Sequence, residues 1–298
     1  MENPINKTKI SKMDIKPPKK KAFTIETDPD FIKLHTLCLA SGKRGGGKSV
    51  AIANLVKKAK DKNYYDKVYL ITPTYHSNKE IWDIADIDEE DVYEPTIDVL
   101  QKIIKLVEAE REEWDNFLFE KEMHKKFKND VNKKLDHIDE NDLMYYYENG
   151  LLEKGNEVGP PTWKYKKEEP PKLAVILDDT MGTDLMKPRG GLTNFCIKHR
   201  HIGKGLGISV FMLVQSYCSR EGVARPIREN TTHLLLFKCK DENQIKKIHT
   251  EIGSDVDMEK FDSMFKYATQ DPFCFLFIDF SPKDPSKTFR KCFNEYLN

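Results

Sequence analysis

A chain of 298 residues can bury one large core or two small ones, which excludes a peptide or a disulfide-stapled miniprotein. Apolar residues make up 39% and charged residues 33%, so the chain is too apolar to be wholly disordered, yet part of it must be unusually solvated. Lys plus Arg and Asp plus Glu both number 49, and a net charge of zero gives no global argument for nucleic-acid binding.

No apolar run nears the roughly 20 residues that cross a bilayer, and no apolar segment follows the basic N-terminus, so neither a membrane span nor a signal peptide is expected. The six scattered cysteines form no Cys-x-x-Cys pair and read as free thiols. Residues 1–28 read as a flexible basic arm, with seven lysines between positions 7 and 21 and little to bury. Residues 29–298 read as the folded domain. It opens with the apolar run Leu34–Ala40, followed by Gly42-Lys43-Arg44-Gly45-Gly46-Gly47-Lys48-Ser49 and a helical pattern over Val50–Lys60. A second run, Val68–Thr72, leads into a connection far longer than a strand-to-helix crossover needs. Residues 105–172 are therefore an insertion, and 30 of those 68 residues are charged. Ile97, Leu100, Ile103, Ile104, Val107, Trp114, Phe117 and Leu118 keep helical spacing into it, which predicts an amphipathic helix that starts on the core and projects outward. Further apolar runs follow at Leu173–Leu177, Ile208–Val214, His233–Phe237 and Phe273–Ile278, with a helical pattern at Glu242–Ile252. Near-continuous apolar runs alternating with helices predict an α/β fold with a mostly parallel sheet.

The segment Gly42–Ser49 fits G-x-x-x-x-G-K-[ST] in its required setting of strand, loop and helix. Glycines let main-chain N–H groups turn inward around phosphate oxygens, and the helix N-terminus that begins near Val50 adds partial positive charge. Lys48 is placed to reach the β- and γ-phosphates of ATP, and Ser49 to ligate Mg²⁺. The run Leu173–Leu177 ends in Asp178-Asp179, where the first acid would hold Mg²⁺ and the second would polarise the attacking water. Gln215 closes the Ile208–Val214 run with an amide that can sense the γ-phosphate or position water. No Asn-Lys-x-Asp segment for guanine is present, which argues against a GTPase.

Taken in order, Leu70–Tyr75, Leu173–Asp179, Phe195–His201, Phe211–Tyr217 and Arg228–His233 resemble the successive motifs of the poxvirus-type genome-packaging ATPases. That family serves large nucleocytoplasmic DNA viruses and virophages, within the FtsK/HerA superfamily. The resemblance covers roughly residues 31–100 and 170–255, leaving out the arm, the insertion and the last 40 residues. It implies a RecA-like sheet with an added strand between the P-loop strand and the acidic strand. It also implies a homo-oligomeric ring that threads double-stranded DNA into a preformed capsid, contacting capsid or portal-vertex proteins in the host cytoplasm, at viral factories or on the virion. A trans-acting arginine belongs to that picture, and Arg228, the preferred candidate, and Arg200 match the family's Arg positions. Lys187, Arg189-Gly190-Gly191, Lys198, His199, Arg200, His201 and Lys204 crowd the stretch after Asp179 and are candidate DNA contacts, with glycines that let the backbone approach phosphate. The alternatives are a cellular HerA- or conjugation-type DNA pump, and a non-motor nucleotide-binding switch.

Overall fold

Every apolar run read as a strand is one in the computed structural model, which describes residues 32–131, 137–152, 159–187, 190–218, 223–252 and 256–298. The basic arm and Arg189 lie outside the described residues. In chain order the unit His35–Asn298 comprises β1 (Leu37–Ser41), α1 (Lys48–Asp61), β2 (Lys67–Ile71), α2 (Lys79–Ile84), β3 (Val92–Tyr93), α3 (Val99–Asp130) and α4 (Glu140–Glu148). It continues with β4 (Leu173–Leu177), α5 (Leu192–Lys198), the single turn α6 (Ile202–Gly205), β5 (Ser209–Val214), α7 (Arg225–Glu229) and β6 (His233–Phe237). Two helices, α8 (Glu242–Ile252) and α9 (Met258–Ala268), precede β7 (Phe275–Asp279), β8 (Phe289–Lys291) and β9 (Glu295–Leu297).

The strands form one sheet in the order β3-β2-β4-β5-β1-β6-β7-β8-β9. From β3 to β6 all neighbours are parallel, and β5 lies between the P-loop strand β1 and the acidic strand β4. Both faces are covered. Leu37, Leu39, Val175, Val210, Met212, Leu234 and Leu276 point into a core shared with α3, α5, α8 and α9. Alternate positions such as Cys38 and Ala40 are equally buried on the opposite side, where α1 packs on β1 and β5.

The run at Phe273–Ile278, expected to join the parallel set, is instead antiparallel to β6. A single crossover helix carries a chain back to the end where the previous strand began. Two helices in succession, α8 and α9, leave it at the end where β6 finished, so β7 runs the other way.

The long helix α3 has 32 residues, or about 48 Å of helix, far more than the roughly 17 Å of a five-residue strand beside it. Its first turns bury Val99, Leu100, Ile103 and Val107 in the main core. Farther along, Trp114 and Phe117 pack with Trp163, at ring separations of 4.9 to 5.5 Å. Beyond them Met123, Tyr146 and Leu151 make a small separate core, with the Tyr146 hydroxyl donating to Asp130 at 3.0 Å. Ile97 precedes the helix and is exposed, as is Leu118, one position off the Trp114–Phe117 face.

Candidate functional site

The carboxyl ends of β1, β4 and β5 place three stretches of polar chemistry around one cleft of about 820 Å³. Its lining includes the loop from Arg44 to Val50, Asp178, Asp179 and Gln215. A cleft of about 920 Å³ lies between β6 and the α8–α9 pair, but it has no glycine among its lining residues and so no comparable main-chain cradle. Chemistry, not volume, selects the first.

The loop's shape follows from its glycines. Gly45 and Gly47 hold φ of 72° and 91°, a region that residues with a Cβ enter only at a cost, and Gly47 caps the N-terminus of α1. Gly42 N–H donates to the Val214 carbonyl at 3.1 Å, pinning the loop to β5, and a Cβ at position 42 would fall 2.5 Å from the Phe237 side chain. Lys48 folds back over the loop, its Nζ donating to the carbonyls of Gly42 at 2.8 Å and Lys43 at 3.0 Å. Burial draws its pKa down while Asp178 and Asp179 oppose that shift. Its ammonium is therefore held by weak carbonyl acceptors that phosphate oxygens can replace. Arg44 and Lys43 are exposed on the outer turn, and Val50 is exposed on the first turn of α1.

Ser49 Oγ donates to Asp178 at 3.1 Å and 3.3 Å. Asp178 is only 5% exposed, and burial pushes its carboxyl up to about 6, with the Ser49 hydrogen bond working the other way. Oxygen donors around a buried carboxylate whose charge is undercompensated suit a hard divalent cation, so Ser49 and Asp178 fit Mg²⁺. When bound, such a cation would withdraw charge from the β- and γ-phosphate oxygens. Asp179 follows in the left-handed region with φ of 51°, and its exposed side chain lines the same cleft. Gln215 is exposed at the tip of β5 beside it. The arrangement can hold a phosphate chain on main-chain N–H groups and Lys48, and orient a water between Asp179 and Gln215.

Neither candidate arginine belongs to this cleft. Arg200 precedes β5 and Arg228 precedes β6, so both sit at the amino edge of strands whose carboxyl ends carry the loop and the acids. Arg228, the residue preferred from the sequence as a trans-acting cation, is engaged internally: it donates to Glu251 at 2.9 and 3.0 Å and to the Val223 carbonyl, and lies over the Tyr217 ring. Arg200 is exposed and has no ion-pair partner among the described residues. Lys187, Lys198, His201 and Lys204 are exposed as well, the last in a left-handed turn with Gly203, whereas His199, expected among the DNA contacts, is buried with its Nδ1 2.6 Å from the Cys196 carbonyl.

Sequence reasoning missed the walls of the cleft. Thr74 and Asn78 line it from the turn after β2, joined by an Asn78-to-Thr74 hydrogen bond of 3.0 Å, and Phe273, Phe275 and Phe293 line it from the C-terminal strands. The Thr72–Tyr75 turn was part of the family motif and could have pointed to Thr74; the three phenylalanines carry no local signal.

No protein-family profile matches the chain, and no curated protein does. Solved structures similar to it include EssC (ATPases 2 and 3) from Geobacillus thermodenitrificans, at 15% identity and a TM-score of 0.44 over 84% of this chain. The chain spans 38% of that EssC chain. The genome packaging NTPase B204 from Sulfolobus turreted icosahedral virus 2, in complex with ATP-gammaS, is similar at 10% identity and a TM-score of 0.43, over 87% of this chain and 96% of B204. The pCW3 conjugation coupling protein TcpA is similar at 14% identity and a TM-score of 0.40, over 85% of this chain and 59% of TcpA.

Proposed function

We propose that the chain is a Mg²⁺-dependent ATPase that drives double-stranded DNA into a viral capsid, working as a homo-oligomeric ring. The observation that carries the ATPase reading is the convergence of the glycine loop, the Ser49–Asp178 hydrogen bond, Asp179 and Gln215 on one cleft. Lys48 and the loop N–H groups stabilise charge on the transferring phosphoryl, and Asp179 with Gln215 positions the water. The DNA reading is supported by the ordered motif resemblance and by exposed Lys198, Arg200, His201 and Lys204, gathered within seven residues. Such a motor would act in the host cytoplasm at sites of virion assembly, on capsid or portal-vertex proteins.

The test is ATP hydrolysis with and without duplex DNA. Lys48→Ala is expected to lose ATP binding; Asp179→Asn is expected to bind ATP and hydrolyse it about a hundredfold more slowly or worse. Chelating Mg²⁺ should abolish turnover, and duplex DNA should stimulate it. Hydrolysis that is indifferent to duplex DNA would remove the translocase, and unchanged turnover in Asp179→Asn would remove that residue from the chemistry.

A further inference from the structure

We propose that Phe273 is a stacking platform for the base of the bound nucleotide, so that the cleft takes a base-bearing triphosphate and not a phosphate chain alone. This rests on the nucleotide reading above. Three observations point to it.

Sheet order comes first. Asp178 leaves β4, two strands to one side of the P-loop strand, while Phe275 opens β7, two strands to the other side, with Phe273 in the turn just before it. At about 4.8 Å per strand, the cleft extends roughly 10 Å each way from the loop. A phosphate chain whose terminal group meets Asp178 and Gln215 therefore directs its other end toward the phenylalanines. That is the end that carries the sugar and base.

The second observation is the state of Phe273. It is 69% exposed where it borders the cleft, at the end of the exposed turn Gln270–Pro272, and its φ is 63°. A bulky residue in the left-handed region is a true outlier, and such strain survives where neighbouring structure enforces it, commonly at ligand clamps. Contact with the loop is direct: a Cβ at Gly47 would lie 3.1 Å from Phe273. The ring thus lies beside the phosphate cradle and is largely open to solvent.

Thirdly, the adjoining wall of the cleft is aromatic and stiff. Phe293 packs edge-on against Phe275 at 5.0 Å and Phe277 at 5.6 Å, and Phe275 packs on Phe237 at 4.9 Å, the residue against which Gly42 is seated. Phe275 and Phe293, packed into the sheet core, therefore close this wall of the cleft without further ordering when a base arrives on Phe273.

The experiment measures binding of ATP and of inorganic tripolyphosphate to the full chain, since only ATP has a base. Phe273→Ala is expected to weaken ATP by about tenfold, the scale of one base–aromatic stack. Its tripolyphosphate affinity should stay within about twofold, and Phe273→Trp should keep ATP affinity. Phe273→Asn repeats the loss with a side chain that tolerates positive φ, which separates the missing ring from any backbone change. Equal weakening of both ligands, or of neither, overturns the platform. Lys48→Ala tests the reading beneath it and should weaken both ligands. ATP binding that needs Lys48 and not Phe273 removes the platform alone; a wild-type chain that binds neither ligand removes both readings.

Discussion

Replacing Arg228 by alanine would strip a guanidinium that is 7% exposed from a carboxylate, Glu251, that is 26% exposed. Breaking a fully buried pair from one side costs about 3–5 kcal/mol, but Glu251 can recover part of its hydration, so about 2–3 kcal/mol is expected here. Part of that is the Val223 carbonyl left without its donor and the cation lost from the Tyr217 face. In a chain of this size the melting temperature should fall by roughly 3–5 °C. Calorimetry of Arg228→Ala, Glu251→Gln and the double variant should yield a coupling of about 1–2 kcal/mol between the two positions. Turnover per folded molecule is the second readout. If the pair is structural, Glu251→Gln lowers stability and leaves turnover alone. If Arg228 serves a neighbouring subunit's ATP, releasing it from Glu251 raises turnover. An Arg228→Ala protein that melts within a degree of wild type yet no longer hydrolyses ATP would refute the structural reasoning. Arg200→Ala is the comparison, because its exposed side chain predicts no change in melting temperature.

Two further outcomes follow from the packing. Replacing residues 119–161 by a short Gly/Ser linker should leave the sheet folded, because Phe117 and Trp163 already lie 5.1 Å apart; replacing 105–172 removes Val107 from the core and should lower the urea midpoint clearly. His35 is held at about 4, first by burial and then by the nearby charges of His199 and Arg200, below its unfolded value of 6.5. The unfolded chain then binds more protons in that window, so this group's contribution to stability falls as pH drops from about 6.5 to 4, by up to about 2 kcal/mol for a half-buried ring. Asp178, raised to about 6, changes stability in the opposite sense over part of the same range. Denaturant titrations of wild type and His35→Leu isolate the histidine: their stability difference should shift in the variant's favour toward pH 4, and a pH-independent difference would refute it.

The phosphate loop and the paired aspartates were legible in the sequence because their chemistry is written in consecutive residues at strand ends. Five-residue strands buried on both faces were equally legible, since each needs an unbroken apolar run. What escaped is of two kinds. Val92–Tyr93 has only two residues, and Phe289–Lys291 and Glu295–Leu297 carry Arg290, Lys291 and Glu295, because edge positions tolerate charge and the Arg290 cation is accommodated over the rings of Phe277 and Tyr296. The other kind is tertiary. Nothing local to Arg228 announces a partner 23 residues away in α8, and Phe273 reads as the first residue of a buried strand when it is the exposed residue before one.

The direction of β7 ties these misses to the site. Had one helix connected β6 to β7, the strand would have begun at the amino edge of the sheet, about 17 Å of strand away from the glycine loop. With α8 and α9 in succession, Phe275 pairs with Phe237 at the carboxyl end, and the residues just before β7 fall beside Gly47. The β7–β8 pairing then turns the chain so that Cys292 donates its N–H to the Phe275 carbonyl at 2.9 Å, and Phe293 arrives at the same edge. The last 40 residues, which carry none of the family motifs, thus close one wall of the nucleotide cleft. A truncation ahead of β7 should accordingly remove more than sheet edge: the phosphate loop would keep its glycines, Lys48 and Ser49, but lose the aromatic surface against which Gly47 is packed.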